Sequence, residues 1–206
     1  MNKLRAMYDG ATSSENYAEQ YVEHMGNVLK SLDTKTVAAV TAVIEKTAAD
    51  NQSFFVVANG GSAAVSTHWV NDLSANTVVD GQPGFRVISL TDNASSLTAL
   101  GNDASFDEIF TIQLKANMRP GDVVLFMSVS GNSPNLVSAM NYANAHGATT
   151  ISCTGMEGGA LKEGSDHCIH TPSTKDEYGP IEDIFSIIMH IAQSYISMKR
   201  GRYLAH

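Results

Sequence analysis

Apolar residues recur at intervals of three and four positions through the first fifty residues of the chain. One stripe comprises Tyr17, Tyr21, Met25, Val28 and Leu32, and a second comprises Val37, Val40, Ile44 and Ala48. Such spacing places the apolar side chains along one face of a helix. The pattern therefore predicts that the chain opens with a helical hairpin, whose first helix starts at Ser14.

Short continuous apolar runs follow this hairpin, and helical patterns separate them. The runs lie at residues 54–58, 87–90, 123–127, 149–153 and 167–170, and the helical patterns lie near 62–76, 107–118 and 134–146. Parallel strands that are buried on both faces read as continuous apolar runs, and right-handed crossovers place helices on both sides of the sheet. We therefore predict an α/β fold, a three-layer αβα sandwich around a five-stranded parallel sheet.

A long C-terminal helical segment, from about Pro180 to Lys199, is apolar nearly all round. Its apolar positions include Ile184, Ile188 and Tyr195. A helix of this kind has to be enclosed, and in a chain of this size we expect the enclosure to include another subunit. No internal repeat, linker or low-complexity stretch interrupts the pattern, so we predict a single domain over residues 1–206.

The composition and charge of the chain argue against some kinds of binding partner. The 206 residues carry a formal net charge of -8, which argues against nucleic acid as a partner, because affinity for its phosphate backbone depends on clustered Lys and Arg. The sequence shows neither a signal-peptide pattern nor a run of about 20 apolar residues, so we expect no membrane association and a cytoplasmic location. Cys153 and Cys168 both lie in strand-like runs, which suits reduced, buried thiols.

Two of the apolar runs lead straight into a turn of small residues and then a helix. The first turn is Asn59, Gly60, Gly61 and Ser62, and the second contains Ser128, Ser130 and Ser133, with Pro134 at the helix start. Free backbone N–H groups and hydroxyls at a helix start form an anion site, and glycine permits close approach of the ligand. Such turns also arise for purely geometric reasons. Two of them at the carboxyl ends of neighbouring strands favour a phosphate site.

Four ionisable residues are candidates for the chemistry. His68 and Asp72 stand four residues apart and so share a helix face, where they either hold a metal ion or simply hydrogen-bond to each other. His190 lies mid-way along the apolar final helix, where burial requires either a backbone hydrogen bond or a bound ion. Glu182 lies eight residues earlier, about 12 Å along a regular helix, so sharing one ion places it at or before the first turn. Two imidazoles and two carboxylates suit zinc or another divalent ion.

Other motifs point away from chemistry. In the cluster of His167, Cys168 and His170, alternation along a short strand puts His167 on the opposite face from the other two, so we expect no metal site there. The sequence contains no nucleophile elbow, Walker motif, CxxC or GxGxxG. Acyl transfer, nucleotide hydrolysis, thiol redox and dinucleotide chemistry therefore lack a signature.

Taken together, these segments resemble the SIS (sugar isomerase) domain and, within it, the phosphoheptose isomerases. The resemblance covers essentially the whole chain: the opening helices, the turns at 59–62 and 128–133, the Leu-Gly-Asn-Asp motif at 100–103 and the terminal helix. It implies the SIS fold and a homotetramer with active sites between subunits. It also implies conversion of sedoheptulose 7-phosphate to D-glycero-D-manno-heptose 7-phosphate, a precursor of lipopolysaccharide or capsule.

The same resemblance implies roles for individual residues. It assigns substrate and phosphate binding to Asn59, Gly60, Gly61, Ser62, Asp92, Asn93, Ser128, Ser130 and Ser133. It assigns zinc binding and catalysis to His68, Asp72, Glu182 and His190. We expect Asp72, or else Glu182, to remove the proton next to the carbonyl, and His190 to act as the acid, in an enediol mechanism in which a cation stabilises the enediolate.

Several positions depart from the family pattern. Asp72 stands where Glu is usual, Glu182 where Gln is usual, Val129 where Thr is usual, Asn76 where Arg is usual and Gly179 where Asp is usual. Two rival functions are a non-catalytic protein of the type that associates with the replication initiator DnaA, and a sugar-phosphate sensor. An acid at Asp72 together with both histidines favours catalysis.

Overall fold

The computed structural model describes residues 2–202 and contains a parallel five-stranded sheet. Its strands are β1 (Ser53–Ala58), β2 (Arg86–Ser89), β3 (Val123–Ser128), β4 (Thr149–Thr154) and β5 (His167–His170). They pair in the order β2-β1-β3-β4-β5. Each strand overlaps the apolar run that predicted it, so the sheet is confirmed.

Helices connect the strands and precede them. They are α1 (Lys3–Gly10), α2 (Ser14–Lys30), α3 (Thr34–Ala49), α4 (Gly60–Ala75), α5 (Ala94–Asp103), α6 (Ile109–Asn117), α7 (Pro134–Ala145), α8 (Gly159–Gly164) and α9 (Tyr178–Lys199), with a 3-10 turn at Phe106–Glu108. The predicted hairpin corresponds to α2 and α3, whose N-caps Ser13 and Asp33 accept backbone N–H bonds from the first helical turns. The sequence patterns missed α1, α5 and α8.

Successive residues of each central strand point to opposite faces of the sheet. Phe54 and Val56 pack into a core with α3, α4 and α9, whereas Phe55 and Val57 pack into a second core with α6, α7 and α8. All six residues of β1 and of β3 are buried. The predicted three-layer αβα arrangement is therefore confirmed.

The long final helix is buried along one side. Ile184 and Ile188 lie in the core, but Ile191, Tyr195 and Met198 are 42%, 57% and 58% exposed. The single chain therefore encloses only part of this helix, and the covering of its open side by another subunit stays a prediction. Within residues 2–202, no helix combines the length and the apolar character that a bilayer crossing requires.

The topology marks one place in the sheet for a ligand. From β1 the chain crosses to β2 on one side, and it then returns to place β3 on the other side of β1. Ligands of open α/β sheets bind at the carboxyl ends of the strands at such a switch point. The first Gly- and Ser-rich turn follows β1, and the second follows β3.

Candidate active site

The two turns line one cavity of about 270 Å³, which Tyr178 and Glu182 also line. Gly60 opens the first turn with a φ of +56°, and Gly131 bends the second with a φ of +66°. Residues other than glycine rarely adopt this left-handed backbone conformation. The structure thus brings the turns at 59–62 and 128–133 together, as their positions after neighbouring strands predicted.

A reciprocal pair of amide hydrogen bonds joins the turns. Asn59 Nδ2 donates to Asn135 Oδ1 at 2.8 Å, and Asn135 Nδ2 donates back to Asn59 Oδ1 at 3.0 Å. Asn135 is buried in the first turn of α7. The Asn59 side chain therefore helps to fix the relative position of the two turns. Asn135 was missed because nothing in its local sequence indicates a partner 76 residues away.

The second turn leaves its hydroxyls available. Gly131 N donates to Ser128 Oγ at 3.1 Å, and Asn132 N donates to Ser130 Oγ at 3.3 Å. Ser133 is the N-cap of α7 with Pro134 after it, as predicted, but its side chain makes no capping bond. None of the described residues that line the cavity is Lys or Arg. An anion bound there would be held by backbone N–H groups and hydroxyls alone.

Glu182 reaches into this cavity. Its Oε1 accepts a hydrogen bond from Ser62 Oγ at 3.1 Å, and its carboxylate lies against Gly61, where a Cβ would stand 2.2 Å from Oε2. We expected Glu182 at or before the first turn of α9 if it shares an ion with His190. Glu182 instead lies in the second turn of α9, which begins at Tyr178, about 12 Å from His190 along a regular helix axis, and a shared ion stays a prediction.

Three of the four predicted metal and catalytic residues converge. Asp72 Oδ2 lies 3.3 Å from His68 Nε2 and 3.6 Å from His190 Nε2, and the three ligand atoms all lie within 4.8 Å of one another. The Asp72 side chain is 10% exposed, whereas those of His68 and His190 are 46% and 51% exposed. The prediction that His190 is buried is therefore wrong, because it lies on the rim where α9 meets α4 instead of in the core.

This donor set fits a divalent metal ion. Tetrahedral ligands with metal bonds of about 2.0–2.1 Å stand roughly 3.3 Å apart, close to the two separations measured from Asp72 Oδ2. Two imidazoles and one carboxylate with an open side are typical of catalytic zinc sites, which keep a position for water or substrate. The residues present could therefore hold a divalent metal ion.

The structure gives Asp92 and Asn93, both predicted to bind substrate or phosphate, different surroundings. Thr67 Oγ1 donates to Asp92 Oδ1 at 2.7 Å, and Thr67 immediately precedes His68 on α4. Asn93 is the N-cap of α5 and accepts from Ser96 N at 3.0 Å. Sequence reasoning missed four residues near the site: Thr67, Asn71, Asn135 and Tyr178.

The cluster on β5 has a structural role. His170 Nδ1 lies 3.1 Å from Thr154 Oγ1, and Cys168 Sγ lies 3.5 Å from the same atom. Burial lowers the pKa of His170 and raises the pKa of the Cys153 thiol, which favours the neutral form of both groups. Among residues 2–202, the group with metal-site geometry does not include them.

Comparisons with known proteins point to one family. A family profile described as "SIS domain" matches residues 16–155. The "Probable phosphoheptose isomerase" of Thermoplasma acidophilum is 32% identical over 182 residues, which is 88% of this chain and 98% of the relative. The phosphoheptose isomerase of Akkermansia muciniphila is 36% identical over 170 residues, or 79% of this chain and 85% of the relative.

Solved structures extend the comparison to the fold. A phosphoheptose isomerase from Francisella tularensis is similar with a TM-score of 0.80, 24% identity and coverage of 91% of this chain and 100% of that one. A phosphoheptose isomerase from Neisseria gonorrhoeae is similar with a TM-score of 0.79, 24% identity and coverage of 89% and 98%. At this identity the likeness concerns the fold alone.

Proposed function

This chain belongs to the SIS-domain family and, within it, to the phosphoheptose isomerases, which are sugar-phosphate isomerases; on that premise we propose that it interconverts sedoheptulose 7-phosphate and D-glycero-D-manno-heptose 7-phosphate through an enediol. The observation that supports the proposal is the placement of both halves of a site on one helix. Ser62 lies in the first turn of α4 and lines the cavity, and His68 follows six residues later, about 9 Å along the helix axis. That separation suits a sugar phosphate.

The phosphate end has a simple assignment. Backbone N–H groups of the turns at 59–62 and 128–133 and the hydroxyls of Ser62, Ser128, Ser130 and Ser133 would hold the phosphate. The fixed phosphate then limits the positions that the sugar carbons can take. We assign to Asp92, whose Oδ1 accepts a hydrogen bond from Thr67 on α4, the role of accepting a hydrogen bond from a sugar hydroxyl.

The reactive end lies at Asp72. We assign proton removal from the carbon next to the carbonyl to Asp72, and proton transfer between the two substrate oxygens to His190, so that these acid/base roles overlap with the roles of metal ligands. A zinc ion held by His68, Asp72 and His190 would polarise the carbonyl and stabilise negative charge on the enediolate. Glu182 was the competing base, but its contact with Ser62 places it at the phosphate end. We therefore assign the base to Asp72.

We further propose a homotetramer with sites between subunits. His190 is half exposed, and the neighbouring Ile191 and Tyr195 are exposed on the same open side of α9. A second copy covering this side would bury apolar surface and close the reactive end from water.

An assay of the purified chain tests the proposal. With zinc supplied, we expect NMR to detect the aldoheptose phosphate formed from sedoheptulose 7-phosphate, and elemental analysis to find about one zinc per chain. Failure to isomerise any member of a panel of pentose to heptose phosphates would overturn the isomerase assignment. Turnover of another sugar phosphate alone would overturn only the choice of substrate.

A further inference from the structure

The two carboxylate oxygens of Asp72 have different partners. Oδ2 faces His68 and His190. Oδ1 accepts hydrogen bonds from Asn71 Nδ2 at 2.9 Å and from Asn76 Nδ2 at 3.3 Å. Two amides therefore hold one oxygen, and the other is left to face the histidines.

The helix that supplies His190 also fixes Asn76. Asn76 is the C-cap of α4, where its N–H donates to Asp72 O at 3.1 Å and its carbonyl accepts from Ser197 Oγ at 3.0 Å. Ser197 is 1% exposed and also accepts from Gln193 Nε2 at 2.9 Å. Because Ser197 lies seven residues after His190, about two turns along α9, both point toward α4. The contact of Ser197 with the Asn76 carbonyl and the contact of His190 with Asp72 thus tie the C-terminal end of α4 to the helix that carries His190.

We propose that Asn71 and Asn76 are positioning residues that hold Asp72 so that Oδ2 alone is presented to a divalent cation and to substrate. This inference rests on the proposed metal-assisted isomerase function. The terminal torsion of a carboxylate is broad and roughly two-fold, so an unheld Asp72 would exchange its oxygens or turn away from the histidines. Hydrogen bonds to the outer oxygen of a ligating carboxylate fix its orientation, and their removal typically lowers metal affinity by about 10–100-fold.

Leucine variants test the role of the amides. Leucine is close to asparagine in shape but has no donor, so we compare Asn71→Leu, Asn76→Leu and the double variant with the unaltered chain. Zinc affinity is measured by competition with a chromogenic chelator, and kcat and KM are measured with the sugar phosphate. We expect the double variant to lose about 10–100-fold in zinc affinity. Each single variant should lose less than the square root of that factor, because the remaining amide still holds Oδ1.

The split between kinetic constants separates positioning from general damage. The phosphate turns are untouched, so kcat should fall while KM changes by less than about twofold. Asn76→Gln retains an amide donor and should recover part of the loss. The matched control is Asn117→Leu, which removes an exposed amide that donates to Gln113 O at 2.9 Å in α6. It should leave zinc affinity and kcat unchanged.

The outcomes distinguish this inference from the proposed function. An unaltered chain that binds zinc, beside a double variant that binds it equally tightly with the same kcat, would overturn the positioning role alone. An unaltered chain that binds no zinc would overturn the proposed metal site and the positioning role with it. If the double variant does not fold, the zinc affinity and kcat of the two single variants and of Asn76→Gln test the positioning role, since each of these variants keeps one or two amides at Oδ1.

Discussion

Ser62 Oγ donates a hydrogen bond to Glu182 Oε1 at 3.1 Å, inside the cavity that the two Gly- and Ser-rich turns share. The bond links the start of α4 to the second turn of α9. A carboxylate at this position occupies a hydroxyl donor that a phosphate would use, and it adds negative charge where an anion has to bind. Glu182 is thus an internal competitor of the proposed phosphate ligand.

Replacing Glu182 with Gln should therefore tighten phosphate binding. Two unit charges 4 Å apart interact by roughly 1 kcal/mol in bulk water and roughly 4 kcal/mol near a protein surface, so we expect the inhibition constant of inorganic phosphate to fall by about fivefold or more. Competitive inhibition of turnover, or calorimetry with phosphate, measures the change. Glu163→Gln, an exposed glutamate in α8, is the control. Equal or weaker phosphate binding by Glu182→Gln would contradict the competitor role.

Replacing Asp72 with Asn should stop turnover without removing substrate binding. The variant loses the proposed base, and general-base catalysis contributes typically about 10²–10⁴-fold to rate. Sugar-phosphate binding should stay detectable by calorimetry, because the turns at 59–62 and 128–133 are unaltered. Asp50→Asn at the exposed end of α3 is the control for loss of one negative charge. Normal turnover by Asp72→Asn would remove Asp72 from the mechanism.

The fold and the shared helix face of His68 and Asp72 can be predicted from local sequence patterns. Continuous apolar runs specify β1 and β3, and a spacing of four specifies that His68 and Asp72 share a face of α4. These features depend on residues close together along the chain. Pattern reasoning therefore finds them without knowledge of tertiary packing.

Other features of the site depend on contacts between distant segments. Asn59 pairs with Asn135, and Ser62 pairs with Glu182 across 120 residues. The orientation of each side chain is set by a partner on another element, which no periodicity encodes. The exposure of His190 was misjudged for a related reason, since hydropathy describes the residues of a helix but not which of its sides the rest of the chain covers.

Replacing Thr67 with Val should weaken sugar binding while sparing the chemical step. The hydroxyl of Thr67 holds Asp92 Oδ1 at 2.7 Å, and Asp92 is the proposed sugar contact. Because Asp92 is exposed, we expect KM to rise about 3–10-fold, less than for a buried bond to a charged group. The kcat should change by less than about twofold. Thr67→Ser restores the hydroxyl and should restore KM, whereas a Ser variant as weak as Val would contradict the role of the hydroxyl.

Replacing Gly131 with Ala should destabilise the protein far more than replacing Gly81 with Ala. Both glycines have positive φ, +66° and +79°, and a left-handed conformation costs an L side chain about 1–2 kcal/mol. A Cβ at Gly131 would also stand 1.8 Å from Gly158 O, whereas nothing lies within 4 Å of a Cβ at Gly81. The second turn would have to move, so we expect a loss of more than about 3 kcal/mol in unfolding free energy for Gly131→Ala and about 1–2 kcal/mol for Gly81→Ala. Urea denaturation measures both losses.

Since Gly131 N also donates to Ser128 Oγ, phosphate affinity should fall with Gly131→Ala only. Equal stability losses in the two variants would show that the turn accommodates a side chain, and would count against a rigid phosphate cradle.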